Sequence, residues 1–310
     1  MATDNQPQSD GAKPRRVTRR RLLKVAAGLA VGAGGVGVYA RWIEPTWVQV
    51  VRCDLPVANL PQTWDGVRVA LVADLHHWAW VPLDYLAGAL RQVQSLGADL
   101  IAAAGDFILG ADPACGDRVA GLFRNLTAPL GVFACLGNHE YGVARPTPTP
   151  PDRPMAVAEA LRDAGVRVLV NESLSLARGD GRLWLAGVGD LWSGQFRPRE
   201  ALKDCPAGAA TLILCHNPDA AEILDALGGG TILSGHTHGG QVQIPFLGPP
   251  ILPVANHDRY EGLHRVGGSW VYINRGLGWI YRIRFDCRPE ISLLTLRREV
   301  RDAGGGAPST

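Results

Sequence analysis

The chain has 310 residues and a formal net charge of +2 at neutral pH. Residues 1–40 carry seven Lys/Arg against two Asp/Glu, so the rest of the chain, with 24 basic and 27 acidic residues, is net −3. A mildly acidic body lacks the basic footprint that nucleic acid requires, and polyanionic nucleic acid is not an expected partner.

Residues 1–17 are polar and have little to bury, which predicts disorder. Thr18-Arg19-Arg20-Arg21-Leu22-Leu23-Lys24 follows, and then a charge-free Ala/Gly/Val run from Val25 to Ala40. Its 16 residues fall short of the ~20 that a membrane span needs. The arginine pair ahead of a mildly apolar run resembles a twin-arginine export signal. Residues 1–40 are therefore expected to direct the folded chain, through the twin-arginine export machinery, to the periplasm or cell envelope. If the leader is not cleaved, it would remain as a membrane anchor and give membrane contact.

The body, residues 45–298, reads as one α/β domain, and 299–310 as a disordered tail. Trp47 to Leu55 alternates like a half-exposed strand, and Val67 to Ala73 is apolar enough for a strand covered on both faces. Pro82 to Leu96 has helical spacing and stops at Gly97, before a second buried strand at Leu100 to Ala104. A helix near Arg118 to Leu126 and a strand at Gly131 to Leu136 come next, then the stiff loop Pro146 to Pro151. Further helices are expected at Met155 to Ala164 and Ala220 to Leu227. Strands are expected at Val166 to Val170, Leu183 to Val188, Thr211 to Cys215, Thr231 to Leu233, Gln241 to Pro245, Trp270 to Asn274 and Ile291 to Leu296. Alternating βα units with a strand-rich end imply two packed mixed sheets with helices outside. The six cysteines have no metal or framework spacing and read as small buried residues.

The apolar runs end in chemistry: Asp74-Leu75-His76, Gly105-Asp106, Gly137-Asn138-His139-Glu140, His216, and Gly235-His236-Thr237-His238-Gly239-Gly240. Side chains at strand mouths converge on one edge of an open α/β sheet. The donors are oxygen and nitrogen without thiolate, which suits Mn, Zn or Fe rather than a Cys-rich structural zinc site. Two such ions about 3.5–4 Å apart polarise a phosphoryl oxygen and turn a bridging water into a nucleophile at neutral pH.

In that order these motifs resemble the calcineurin-like metallophosphoesterases over their whole signature set. The four-layer α/β/β/α sandwich of two mixed sheets belongs to that resemblance. It also implies that Asp74, His76, Asp106 and His238 hold one metal ion, and Asp106, Asn138, His216 and His236 the other. His139 would face the phosphate and protonate the leaving group. Together with the leader, Arg275-Gly276-Leu277-Gly278 and Pro289-Glu290-Ile291 resemble the YaeI/YkuE-type branch of bacterial phosphodiesterases, over roughly residues 45–298. The chain departs from other branches. Asp106-Phe107-Ile108-Leu109 lacks the acidic and basic residues of the protein phosphatases, and Leu109 stands where purple acid phosphatases place a tyrosine.

His77-Trp78-Ala79-Trp80 departs from the small residue usual after the first motif. Trp78 and Trp192 are candidates for an apolar rim that takes a lipid or sugar-nucleotide tail, and Arg145 for a phosphate contact. The expected function is an exported dinuclear phosphodiesterase acting on a small phosphoester. Its rivals are a UDP-2,3-diacylglucosamine-type pyrophosphatase in lipid A synthesis and a metal-binding scaffold without turnover.

Overall fold

The computed structural model describes residues 19–109, 114–143 and 153–299. The readings for residues 1–17, the Pro146 to Pro151 loop and the tail beyond Glu299 lie outside these. The chain divides into two units, residues 1–39 and 40–310. In the first, the arginine-led Ala/Gly/Val stretch forms helix α1 (Arg19–Val38). No described helix is long and apolar enough to cross a membrane.

The second unit is built on two six-stranded mixed sheets. Its first strand, β1 (Gln49–Val57), half-exposed as its alternation implies, pairs in parallel with the last, β12 (Glu290–Arg298). Next to β12 run β2 (Arg68–Val72), β3 (Leu100–Ala104), β4 (Val132–Cys135) and β5 (Arg167–Val168). Strands β2 to β5 are mutually parallel, and β12 lies antiparallel to β2. The second sheet has the order β10 (Gly262–Val266), β11 (Ser269–Ile273), β9 (Thr231–Ser234), β8 (Thr211–Leu214), β7 (Gly181–Gly187) and β6 (Glu172–Arg178).

Leu71, Ala102, Leu212 and Leu233 belong to one buried apolar cluster between the sheets. Outside the first sheet, α2 (Leu83–Ser95), α3 (Ala114–Phe123) and α4 (Arg153–Asp163) close a second cluster. Helix α2 buries Leu86, Ala89, Leu90 and Val93, one stripe at helical spacing, and the chain leaves it through Gly97 in the left-handed region. Each fully buried leucine of this stripe contributes about 1.5–3 kcal/mol. Outside the second sheet, α5 (Pro198–Leu202) and α6 (Ala221–Ala226) close a third cluster. The architecture is the expected four-layer α/β/β/α sandwich.

Gln241 to Pro245 is not a strand. Gly239, Gly240 and Gln241 all have positive φ, so the chain turns there, and Val242 and Ile244 make only isolated bridges. Strands β6 and β10 and helix α5 escaped the sequence reading. Both strands lie at sheet edges, where half-buried residues give a weak apolar signal. Glu299, expected in the tail, donates its backbone N–H to the Val57 carbonyl and accepts from the Trp270 indole. No disulfide joins any of the six cysteines.

Candidate metal centre

Asp74 and His76 follow β2, Asp106 follows β3, Asn138 and His139 follow β4, His216 follows β8, and His236 and His238 follow β9. Five strand ends from two sheets thus deliver the eight predicted side chains to one place. Backbone bonds stitch the deliveries together: Asp74 N–H donates to the Gly105 carbonyl, His76 N–H to Asp106, and Gly235 N–H to His216.

The ligand atoms of three groups, Asp74/His76/His238, His76/Asp106/His139 and Asp106/His216/His236, each lie within 4.8 Å of one another. Asp106 Oδ2 sits between the two ends, 3.5 Å from His76 Nε2 and 3.1 Å from His216 Nε2. At one end His76 Nε2 and His238 Nε2 face each other at 2.8 Å, with Asp74 Oδ1 at 3.6 and 3.4 Å. At the other, His236 Nδ1 lies 3.3 Å from His216 Nε2. All eight residues are buried.

This donor set fits divalent cations. Two imidazole nitrogens at 2.8 Å need a shared proton or a cation between them. The amide oxygen of Asn138 is buried without a hydrogen-bond partner among the described residues, which carries a cost unless a cation takes it. Outer bonds fix two ring orientations: His216 Nδ1 is 2.6 Å from the Ala104 carbonyl, and His236 Nε2 is 2.9 Å from the Pro253 carbonyl. With protons on those nitrogens, His216 Nε2 and His236 Nδ1 offer lone pairs to the centre, the usual arrangement of a metal-bound histidine.

The electrostatics are those of packed charges. Burial works against ionising Asp74, yet His238, His76 and His216 hold its carboxyl at about 2. Burial opposes Asp106 likewise, but His216 and His139 keep it well below the ordinary range. Burial disfavours a charged His216 too, and the Asp106 and Asp74 carboxylates overcome this, raising it to about 10. Burial lowers His139 and His236 to about 4, with the neighbouring His216 acting in the same direction.

Five of the eight residues, Asp74, His76, Asp106, His236 and His238, have positive φ. Left-handed backbone at non-glycine residues costs about 1–3 kcal/mol each, and survives only where the surroundings fix it. Glu140 supplies much of that fixing. Its Oε2 accepts from the N–H groups of Asp106 and Gly137, at 3.0 and 2.8 Å, and its Oε1 from Phe107 and Ile108, at 2.9 and 3.2 Å. Burial and the Asp106 charge push the Glu140 carboxyl up to about 8, against the Gly137 and Ile108 N–H groups and the His216 charge. Two glycines also press on the carboxylates. A Cβ on Gly137 would come 2.3 Å from Asp106 Oδ1, and one on Gly235 2.3 Å from Asp74 Oδ2.

A model of the calcineurin-like phosphoesterases matches residues 67–240, the span holding all eight side chains. The chain belongs to the calcineurin-like phosphoesterase family. It is 33% identical over 280 residues to the phosphodiesterase YaeI of Escherichia coli, covering 90% of this chain and 99% of that protein. It is 32% identical to the metallophosphoesterase YkuE of Bacillus subtilis, covering 91% and 99%. It is also 29% identical to the UDP-2,3-diacylglucosamine pyrophosphatase LpxG of Chlamydia trachomatis, covering 83% and 92%. As a calcineurin-like phosphoesterase, the chain is a hydrolase of phosphoester bonds.

The weaker candidates part company. Trp192 borders the centre, its ring edge-on to His236 with centroids 4.4 Å apart. Trp78 lines a groove of about 530 Å³ with Arg41, Trp80, Ile280, Tyr281, Arg282 and Ile283. His77 turns Nδ1 to the Val81 carbonyl and belongs to none of the three ligand groups. Arg145 lies outside the described residues. One support, Glu140, and one neighbour of the centre, Asn217, escaped the sequence reading. Glu140 was visible in its motif, but a carboxylate accepting backbone N–H groups looks no different in sequence from a ligand. Asn217, whose amide nitrogen lies 3.3 Å from His236 Nε2, gave only its position beside His216.

Proposed function

We propose that the chain is an exported phosphodiesterase working with two divalent cations, Mn, Zn or Fe. The observation that carries this reading is the Asp106 carboxylate, set between two nests of buried nitrogen and oxygen donors. Asp74, His76, Asp106 and His238 would hold one ion, and Asp106, Asn138, His216 and His236 the other. When bound, the ions would polarise a phosphoryl oxygen and lower the pKa of a water enough to make a nucleophile near neutral pH.

The remaining work falls to the chain. His139, against the His76 ring at 4.8 Å between centroids and held through its backbone N–H by Asp106 Oδ1, points a ring at the same space. With its pKa at about 4, the ring is neutral in the free protein. The negative phosphate of a substrate would raise that value, letting the ring carry a proton to the leaving oxygen. Glu140 and the two glycines keep the carboxylates in place while substrate exchanges. Trp192 covers the His236 side.

Export rests on Arg19-Arg20 ahead of the charge-free run, which supports the twin-arginine route to the periplasm or cell envelope. The second reading, a pyrophosphatase acting on a diacylated sugar nucleotide, is favoured by the LpxG likeness and by the apolar groove beside Trp78. A folded-state reporter fusion separates the two: a body located in the cytoplasm would remove the exported phosphodiesterase.

The direct test is hydrolysis of a bis(aryl) phosphate and an aryl monophosphate by metal-stripped protein with Mn, Zn, Fe or Mg restored singly. Metal-dependent cleavage that favours the diester and vanishes in Asp106→Asn is expected. Inactivity on both esters with metal bound would defeat the reading. His139→Ala should lose turnover while retaining metal, and unchanged turnover would remove the proton-donor assignment.

A further inference from the structure

We propose that the groove lined by Arg41, Trp78, Trp80, Tyr281, Arg282 and Ile283 is a docking face for an anionic phospholipid surface. All of these residues belong to the second unit.

The face is apolar and exposed. Trp80 is 58% exposed and Tyr281 76%, and Ile283 beside them is also exposed. Trp42, 55% exposed, and the exposed Ile43 adjoin Arg41 in sequence. Scattered exposed apolar residues are ordinary, but a contiguous group is a mark of an interaction surface. The group is also cationic. The Arg41 and Arg282 guanidiniums lie over the Trp42 ring, at 4.5 and 4.9 Å, and neither has a carboxylate ion-pair partner among the described residues. Two uncompensated arginines on a body of net −3 make a local exception to its charge.

Amphipathic aromatics interleaved with arginine are the composition that settles at the headgroup level of a bilayer, rings toward the acyl chains and guanidiniums on the phosphates. A protein partner would need acidic residues matched to two points, whereas an anionic bilayer supplies phosphate everywhere and accommodates the exposed rings. The sequence adds continuity, since the charge-free run Val25 to Ala40 leads directly into Arg41-Trp42-Ile43.

The face is tied to the catalytic loops. Gln241, three residues after His238, donates its side-chain amide to the Tyr281 and Ile283 carbonyls at 2.8 and 2.9 Å and accepts from the Ile280 N–H at 2.9 Å. Trp78 is two residues beyond His76. A surface docked on these side chains would therefore rest on backbone anchored to the His236–His238 loop.

The test is sedimentation of the full chain with phosphatidylcholine vesicles, with and without phosphatidylglycerol, at low salt, beside turnover of a soluble bis(aryl) phosphate. Wild-type protein should bind the anionic vesicles more tightly. Arg41→Ser with Arg282→Ser should weaken that binding by about 30-fold, roughly fivefold per arginine. Trp80→Ser with Tyr281→Ser should weaken it by about tenfold or more. Arg91→Ser with Arg124→Ser, which removes equal charge from exposed positions elsewhere, should leave it unchanged. All three variants should keep soluble turnover. Equal wild-type binding to both vesicles, groove variants that bind like wild type, or a control that loses as much would overturn the docking face. The expected vesicle pattern without turnover in any protein would support the face and sink only the phosphodiesterase reading.

Discussion

Replacing Glu140 with glutamine tests whether one buried side chain holds the metal loops in their strained backbone. Each Glu140 oxygen accepts two backbone N–H groups, those of Phe107 and Ile108 at one and of Asp106 and Gly137 at the other. Glutamine keeps the shape and one oxygen but turns an NH₂ group toward two of those donors. Two buried N–H groups then lose their acceptor, at about 1–3 kcal/mol each, or about 2–6 kcal/mol in total. Against a typical stability of about 5–15 kcal/mol this is large but survivable. The assay is denaturant unfolding of metal-stripped wild type and Glu140→Gln above pH 8, where the Glu140 carboxyl, raised to about 8, is ionised; because glutamine also removes a charge buried beside Asp106, the expected loss lies toward the lower end of that range. Isothermal titration with Mn or Zn then follows. A lower midpoint at unchanged slope is expected, with metal affinity down about 10–100-fold as Asp106 loosens. A stability change within about 0.5 kcal/mol, the range of an ordinary surface substitution, would refute the reasoning.

Three further outcomes follow from the same geometry. Gly137→Ala changes no ligand, yet its methyl meets Asp106 Oδ1 at 2.3 Å. Overpacking should cost about 1–3 kcal/mol and lower metal content measured by elemental analysis; full occupancy would mean that Asp106 can move aside. Because the carboxylates raise His216 to about 10, metal must displace its proton, so calorimetry near neutral pH in buffers of different ionisation enthalpy should register proton release. Buffer-independent heats would show that the ring is already neutral. His139 and His236, unfolded near 6.5 and folded at about 4, are depressed bases, so the folded state binds fewer protons between those values. Metal-free protein should therefore lose stability as pH falls from 6.5 toward 4, by thermal unfolding. A flat profile across that window would contradict the neutral rings.

The sequence by itself determined the family, the residues of the candidate site and most of the scaffold. Apolar runs such as Leu100 to Ala104 can satisfy their backbone only as buried strands, and a donor residue just past such a run has to stand at the sheet edge. That reasoning placed Asp74, His76, Asp106, Asn138, His139, His216, His236 and His238 without coordinates. Edge strands β6 and β10 were not legible, because half-exposed residues carry little pattern, and Gln241 to Pro245 looked like a strand because positive φ leaves no periodic trace. Only the tertiary structure decided what depends on distance rather than order. It set Asp106 Oδ2 between two nests, spent Glu140 on four backbone donors rather than on a ligand position, and put Gly137 and Gly235 where no side chain fits. It also separated Trp192, against His236, from Trp78, in a cationic apolar groove. Order along a chain fixes which residue follows a strand; which atoms then come within a few ångströms depends on how two sheets, joined by crossovers of differing length, pack face to face.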